Sequence, residues 1–528
     1  MQQNTFNKRV LAALFLALAG FMFFWGIGKY ALWDDETMTS LAAMGVIQTG
    51  DTSAVHGQNI TAYRAGILLK DLHDRSTPPL SAYLCASSIK LLGPSSFSAR
   101  LPFAILGFLL MIWAVFLIYR SSISALESAI WYLAISGNIS LFLFMRQCRY
   151  YAPAVFMTVL VTTAYLRWRR DNRGLLLIAP LIVLLFASNY MVCAAVILCL
   201  IVDYLIWKRR EVGLNFKDVF VAGLIVGIPC LAIKSVWNPY VTKYGDYPKL
   251  STALDRLTLL GWSFRDMNAA GFMVGGLIVA ALFFAILRKD TLLRRGLTAL
   301  FVYTALVSSV SPQLVKETSF ADIRYLAPVI PLCIALGVIS YLKILGNRKV
   351  LCLLLAIPVF WTNLLQGTFL PPNRPRSVPL EYFGELLSPP PEPFTPAAEW
   401  IRNHVTKSES IWVLPDYMTY PLMFHAPDAI YAWQLDPSQR QESQFKNLPP
   451  IHFKGLQAPD YIIVFGPSVL TVRMMIQNWN KQGVNFEEVG MINTFWKDCF
   501  RPELFWRTFT PILNYDPDSQ AIYIFKKS

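Results

Sequence analysis

Three adjacent acids follow the first long apolar run of the chain. Residues 33–38 read WDDETM, so Asp34, Asp35 and Glu36 stand together where the chain leaves a predicted membrane segment. One acid at this point is explained as the cap of a following helix, because carboxylates favour the positive N-terminal end. Three carboxylates crowded at a low-dielectric boundary suit a general base, or an anchor for hydroxyl groups or a metal ion. The residue types alone leave both interpretations open.

Arginines occur at the ends of later apolar runs, on what the chain order predicts to be the same side of the membrane. The stretches MRQCRYY and DIRYLAP contain Arg146, Arg149 and Arg324, with Tyr150 and Tyr325 beside them. A single interfacial arginine reaches lipid headgroups, and interfacial tyrosines form an aromatic belt. Several guanidinium groups beside an acidic motif are instead suited to hold a phosphate. The two sets of charges together predict a reaction on an anionic substrate held at the membrane.

The composition predicts the scaffold that must position these charges. Of the 528 residues, 55% are hydrophobic and 15% are charged, which is too apolar for a soluble enzyme of this length. Long continuous apolar runs indicate membrane-spanning helices and not barrel strands. The sequence predicts a polytopic α-helical membrane protein of about 11–13 transmembrane helices, with eleven spans near residues 9–28, 98–118, 124–144, 151–167, 174–188, 190–207, 219–236, 270–287, 296–311, 324–342 and 349–366.

The basic residues behind the formal charge of +14 predict how the chain crosses the membrane. Short basic connections alternate along the predicted topology and fall on one side, as the positive-inside rule expects for the cytoplasm. This distribution accounts for the charge without a nucleic-acid partner. It also predicts a cytoplasmic N-terminus on an uncleaved anchor helix. The loop 29–97 and everything after the last span are then outside the cytoplasm.

The outer segments are predicted to carry structure of their own. In the first loop, helical spacing predicts short surface helices at 35–48 and 79–92, and Asn59 opens an NIT sequon of a kind common by chance. We predict a membrane module at 1–370, a stiff, non-helical proline-rich linker at 371–396 and an extracytoplasmic α/β domain at 397–528. In the last region, SIWVL, YIIVFG and AIYIF are typical of strands and 468–481 of a helix.

The motifs of nucleotide-dependent and metal-dependent enzymes are missing from the sequence. No P-loop or Rossmann glycine pattern is present, and the cysteines and histidines do not have the spacing of a zinc site. We therefore predict no cofactor and no metal ligands, although the acidic motif leaves room for a divalent ion.

Four stretches resemble, in order and spacing, the GT-C glycosyltransferases that use polyprenyl-phosphate sugars, which include protein O-mannosyltransferases and lipid A aminoarabinose transferases. They lie within residues 10–340 and read WDDETMTSLAAMGVIQTGD, STPPLSAYLCASSIKLLGPSSFSARLPFAILG, RQCRYYAPAVF and RYLAPVIP. In that family an Asp-Glu pair follows the first span, and the aspartate is taken as catalytic. The resemblance thus implies catalytic roles for Asp35 and Glu36, with Asp34 beside them where the family commonly has proline or another residue.

The family also implies a mechanism, an inverting displacement at the sugar. Asp35 would deprotonate an acceptor hydroxyl, which attacks the anomeric carbon as the polyprenyl phosphate leaves. The family's lysine before Pro-Pro is Thr77 here, so Arg75 or His73 would take its place. The other groups implied or predicted are Arg146, Arg149 and Arg324 on the donor phosphate, and His56, His73, Tyr150 and Tyr325 in the substrate pocket. If the acceptor is itself a phosphate, the acids would hold sugar hydroxyls instead.

The resemblance implies a hexosyl or pentosyl transferase in a bacterial inner membrane, with a lipid, glycan or protein acceptor outside the cytoplasm. Two other classes stay open. A lipid or sugar transporter or flippase would place ionisable residues in mid-span and show repeated halves, neither of which the sequence has. A noncatalytic membrane subunit would need the acidic motif only as a helix cap.

Overall fold

The computed structural model describes residues 2–168, 174–237, 251–346, 348–367, 377–389, 391–494 and 521–528. In these ranges the α-helices, in chain order, are α1 Gln2–Phe24, α2 Asp34–Thr49, α3 Leu80–Leu92, α4 Ser96–Arg120, α5 Ala125–Gly137, α6 Ile139–Arg146, α7 Tyr151–Arg167, α8 Gly174–Ser188, α9 Tyr190–Ile206, α10 Phe216–Val236, α11 Ala253–Ala269, α12 Gly275–Leu287, α13 Thr291–Val310, α14 Ile330–Leu345, α15 Lys349–Phe360, α16 Leu364–Gly367, α17 Val378–Leu387, α18 Phe394–His404, α19 Thr419–His425 and α20 Val469–Asn480. The strands are β1 Val55–His56, β2 Asn59–Ile60, β3 Leu69–Lys70, β4 His73–Asp74, β5 Ser410–Leu414, β6 Ile430–Tyr431, β7 Tyr461–Phe465, β8 Phe486–Ile492 and β9 Ile522–Lys527.

Apolar helices make the protein an integral membrane protein, and every predicted span overlaps helix. Within the described ranges, four helices are long and apolar enough to cross a bilayer: Phe6–Phe24, Ser96–Arg120, Phe216–Val236 and Ile323–Leu345. The pair α5 and α6 would make a fifth crossing, and five further apolar helices have 10–17 residues. Length and composition therefore support fewer crossings than the eleven predicted from the sequence, and the total number stays a prediction.

Two of the predicted spans are interrupted, a third begins only after a non-helical connection, and these three breaks meet. Helices α5 and α6 are bent by 56° at Asn138, whose side chain caps α6 and donates from Nδ2 to the Gly271 carbonyl at 2.8 Å. Gly271 lies in the non-helical connection between α11 and α12, and residues 361–363 separate α15 from α16. Together these segments line a cavity of about 70 Å³. Broken backbone at membrane depth is tolerated because protein covers it.

Both helices predicted in the first outer loop are present. Helix α2 begins at Asp34, and its N-cap residue, Trp33, makes no side-chain capping bond. The three acids therefore occupy the first turn, where the helix dipole favours negative charge, and none of them is the cap residue. Helix α3 begins after Pro79 and ends at Gly93.

The proline-rich segment differs from its prediction. Residues 371–376 and 390 lie outside the described residues, but α17 forms a helix within the segment predicted to be non-helical. Pro379 lies in the first turn of α17, where the missing N–H of proline costs no hydrogen bond. Tyr382 in this helix is buried against the membrane helices.

A five-stranded mixed sheet follows α18, and the three predicted strands are among its members. The strand order is β6-β5-β7-β9-β8, with β5 parallel to β6 and β7 and with β9 antiparallel to β7 and β8. One face packs against α18, α19 and residues Trp33 and Leu41 of the acidic-motif region, and α20 covers the other. That this region is a separate domain, and its side of the membrane, stay predictions.

The sequon residue Asn59 joins the first loop, residues 29–97, to this sheet. Its Nδ2 donates to the Ala429 carbonyl at 2.8 Å, and its Oδ1 accepts from the Tyr431 backbone N–H at 2.8 Å. The residue is only 3% exposed. A glycan at Asn59 is incompatible with these contacts, so the triplet has a structural role.

We expect Asn59→Ala to lower the free energy of unfolding by about 1–3 kcal/mol, since it leaves buried groups of β6 without partners. Thermal unfolding in detergent checks this value. Gln58→Ala is the matched control because the Gln58 side chain is exposed and makes only a long hydrogen bond, from Nε2 to the Lys407 carbonyl at 3.4 Å. Equal stability of the two variants would contradict a role for Asn59 in joining the loop to the sheet.

Candidate active site

Asp35 forms ion pairs with two of the predicted arginines. Arg324 Nη1 donates to Asp35 Oδ2 at 2.6 Å, and Arg149 Nη2 lies 3.5 Å from Asp35 Oδ1. Arg149 also donates from Nη1 to the backbone carbonyl of Asp35 at 3.0 Å. The three residues come from α2, the loop after α6 and the 3₁₀ turn before α14, so only the folded chain brings them together. We define them as the Asp35 cluster.

The Asp35 cluster is accessible and its charge is balanced. The Asp35 side chain is 18% exposed, so a substrate can reach it. Arg324 is also held by Asp322, which accepts from its Nε at 2.8 Å and its Nη2 at 2.7 Å. Burial alone would lower the pKa of Arg149, but Asp35 and the neighbouring tyrosines outweigh it and raise the pKa. Both arginines therefore stay charged beside Asp35.

Arg149 keeps one buried donor that the described residues do not use. Its Nε is shielded from solvent and has no hydrogen-bond partner among the described residues. A buried donor without a partner costs about 1–3 kcal/mol, so such a group requires an explanation. A substrate oxygen is one partner that would satisfy it.

Glu36 occupies a different environment from Asp35. Its side chain is fully buried, and its Oε1 and Oε2 accept from Arg100 Nε at 2.8 Å and Nη2 at 2.5 Å. Oε1 also accepts from the Cys148 N–H at 2.9 Å. Because the Glu36 side chain is fully buried, a substrate hydroxyl cannot reach its carboxylate, whereas Asp35 is partly exposed. The geometry thus favours a structural role for Glu36 over the catalytic role predicted from the sequence.

Arg146, another predicted phosphate ligand, contacts the end of α1. Arg146 donates to the carbonyls of Met22 and Trp25 at the end of α1, and to the Tyr382 hydroxyl. Arg146 also lines a small cavity of about 20 Å³ with Glu36 and Arg100. Arg146 therefore holds the end of α1 through Nη1 and Nη2, and its assignment to the donor phosphate stays a prediction.

Arg75 belongs to a second ion pair in the first loop, residues 29–97. Its Nη1 and Nη2 donate to the two carboxylate oxygens of Asp51, both at 2.5 Å. This hydrogen bonding lowers the pKa of Asp51. His73 lies at the edge of the pair, with its Nε2 4.0 Å from Asp51. The structure thus groups Arg75 and His73 with Asp51 and not with the Asp35 cluster.

Asp34 and His56 lie toward the part of the chain that contains the five-stranded sheet, called the sheet region below. Burial and then the Asp34 carboxylate raise the pKa of Tyr420, the second residue of α19. His56 belongs to the β1–β2 hairpin, and burial lowers its pKa to about 4. His56 is therefore uncharged at neutral pH, and its place in the substrate pocket stays a prediction.

The two predicted pocket tyrosines flank the Asp35 cluster. The rings of Tyr150 and Tyr325 are stacked with centroids 5.8 Å apart, and the Arg149 guanidinium lies 5.8 Å from the Tyr150 ring centroid. They place aromatic rings beside the Asp35 cluster, and their role in binding the sugar stays a prediction.

Sequence reasoning missed two partners in this site. Asp322 holds Arg324 in two-point contact. Arg100 is the partner of the buried Glu36. An arginine inside an apolar run must find a counter-charge, and this rule could have paired it with Glu36. Among the described residues, no group of three or more His, Cys, Asp or Glu could hold a metal ion.

Comparison with known proteins agrees with the predicted resemblance. Residues 76–237 match the family model of dolichyl-phosphate-mannose-protein mannosyltransferases. The fold is similar to that of ArnT from Cupriavidus metallidurans bound to undecaprenyl phosphate, with TM-score 0.54, 12% identity and 97% of both chains covered. The apo state of the same ArnT gives TM-score 0.54 at 14% identity over 88% of this chain and 94% of that chain. No curated protein matches this chain in sequence. The resemblance to GT-C glycosyltransferases is confirmed, and the fold is the one that they share.

Proposed function

We propose that the protein is a membrane glycosyltransferase that moves a sugar from a polyprenyl-phosphate carrier to an acceptor outside the cytoplasm. The observation that carries the proposal is the Asp35 cluster, in which one accessible carboxylate lies between two guanidinium groups. It is supported by the family match over residues 76–237 and by the shared fold with a protein whose structure holds undecaprenyl phosphate.

Asp35 is the group that we assign as general base. The two cations beside it favour its charged form, which is the form that accepts a proton. Its neighbour Glu36 is fully buried, so Asp35 is the better placed of the pair to meet an acceptor hydroxyl. Deprotonation of this hydroxyl would accompany its attack on the anomeric carbon, and the sugar would be transferred with inversion.

The arginines are assigned to the departing phosphate. As the bond from sugar to phosphate breaks, one further negative charge collects on the phosphate oxygens. Arg149 and Arg324 supply charge-assisted donors that need not reorganise at that moment. The unused Nε of Arg149 is the donor that we expect to contact a phosphate oxygen directly.

The proposal is tested with purified protein in detergent and a set of polyprenyl-phosphate hexoses and pentoses labelled in the sugar. Membrane lipid and glycan extracts supply the acceptor. We expect label in a covalent product together with free polyprenyl phosphate. An intact donor in every mixture would overturn the proposal. Uptake of labelled lipid or sugar into liposomes without a covalent product would instead support a transporter.

We expect Arg149→Lys to lower kcat/KM for the donor by about 10-fold to 10²-fold. The substitution keeps the positive charge but removes Nε and the planar fork, and the loss of one charge-assisted bond is worth about 1.5–3 kcal/mol. Steady-state transfer at varied donor concentration measures the effect. Arg473→Lys is the control, since Arg473 forms an exposed pair with Glu488 on the sheet. Equal activity of both variants would remove Arg149 from the site.

A further inference from the structure

The backbone that leads from α1 into α2 is held by side chains from distant parts of the chain. Arg100 donates at 3.0 Å to the carbonyls of Ile27, Tyr30 and Ala31. The next residue, Leu32, donates its N–H to His425 Nε2 at 3.0 Å. Helix α2 begins two residues later, and Asp35 is its second residue. The imidazole of His425 therefore fixes the backbone immediately before the first turn that carries Asp35.

The protonation state of His425 is the one that this contact requires. An imidazole nitrogen accepts a hydrogen bond only when it carries no proton. Burial, with smaller effects from Arg100 and Arg402, lowers the pKa of His425 to about 4. The ring is thus neutral at pH 7, and Nε2 is the accepting nitrogen. Arg402 Nη1 in turn donates to the His425 carbonyl at 2.7 Å.

The helix that carries His425 also packs on α2 itself. Leu422 and Met423 of α19 belong to the same buried cluster as Trp33 and Leu41. His425 is in the last turn of α19, and the Leu32 amide it binds belongs to a fully buried residue. The sheet region thus contacts α2 along one face and also at its entry.

We propose that His425 is a positioning residue for the transfer reaction, through which the region after the last membrane helix sets the orientation of Asp35. The inference rests on the proposed function. Loss of the acceptor would release the Leu32 backbone and let the first turn of α2 rotate about Leu32 and Trp33. A displacement of about 1 Å at a reacting group can cost about 10²-fold in rate.

The test compares His425→Gln with His425→Leu. The Gln Oε1 can accept the Leu32 N–H, whereas the Leu side chain cannot. We expect His425→Leu to lower kcat by about 10-fold to 10²-fold with the donor KM unchanged, and His425→Gln to retain most of the activity. Hydrogen exchange of the segment 26–34 should accelerate in His425→Leu and stay slow in His425→Gln. Full activity and slow exchange in His425→Leu would overturn the proposal.

The test includes a replacement variant in case His425→Leu does not fold. If thermal unfolding shows that His425→Leu is not folded, His425→Asn replaces it, because the shorter amide cannot reach Leu32. Equal kcat for the Gln and Asn variants would overturn the positioning role. The exchange measurement needs no sugar donor, so it still tests the contact if the wild-type protein transfers no sugar. In that event the proposed function fails, and the exchange result alone decides the His425–Leu32 contact.

Discussion

Asp35→Asn is expected to lower kcat for sugar transfer by about 10²-fold to 10⁴-fold, the range attributed to a positioned acid or base. Asparagine has the same shape but neither the charge nor the basicity of the carboxylate. Arg324 keeps its two bonds to Asp322 in this variant, so the fold around the site should persist. Single-turnover transfer with saturating donor measures the effect on the chemical step.

The control for this variant is Asp416→Asn, since Asp416 is an exposed carboxylate paired with Lys454 on the sheet region. It should transfer sugar at the wild-type rate. Undiminished transfer by Asp35→Asn would withdraw Asp35 as the base. It would also favour an acceptor that is already charged, such as a phosphate, for which the acids bind sugar hydroxyls.

Arg100→Met is expected to lower the free energy of unfolding by about 3–5 kcal/mol, the cost of leaving a buried charge without its partner. Glu36 is fully buried and accepts two of the Arg100 donors. Three carbonyls before α2 would lose their donors as well. Thermal or denaturant unfolding in detergent measures the loss.

The double variant Arg100→Met, Glu36→Gln separates charge from packing. Neutral glutamine removes the isolated buried charge, so we expect it to restore part of the lost stability. Arg473→Met, in an exposed ion pair, should cost at most about 1 kcal/mol. If Arg100→Met were as stable as Arg473→Met, the buried pair would not be what fixes Glu36.

The sequence was sufficient for the features that depend on local pattern. Apolar runs located the helices, and short apolar runs with β-branched and aromatic residues located the strands 410–414 and 461–465. The acidic motif and the arginines at later helix ends predicted Asp35, Arg149 and Arg324, which the structure brings together. The alternation of basic connections predicted that these groups lie on the same side of the membrane. The same reasoning could not fix the number of crossings, because short and broken apolar helices do not differ in composition from complete spans.

Assignments that depend on tertiary contacts could not be made. Arg146 and Arg149 are three residues apart in the same motif, yet one holds the end of α1 and the other holds Asp35. Helix α6 ends at Arg146, so the side chains of Arg146 and Arg149 point in different directions. The bend at Asn138 depends on a contact with Gly271, and α17 depends on packing that proline-rich composition does not reveal.

The bond from Asn59 to Ala429 joins residues 370 positions apart in the chain. At a synthesis rate of about 5–20 residues per second, the N-terminal hairpin would be made about 20–70 seconds before its partner strand. During that interval the hairpin and the polar side chains around it have no native partner. We therefore expect the first loop to gain protease resistance only after the residues of the sheet have been made.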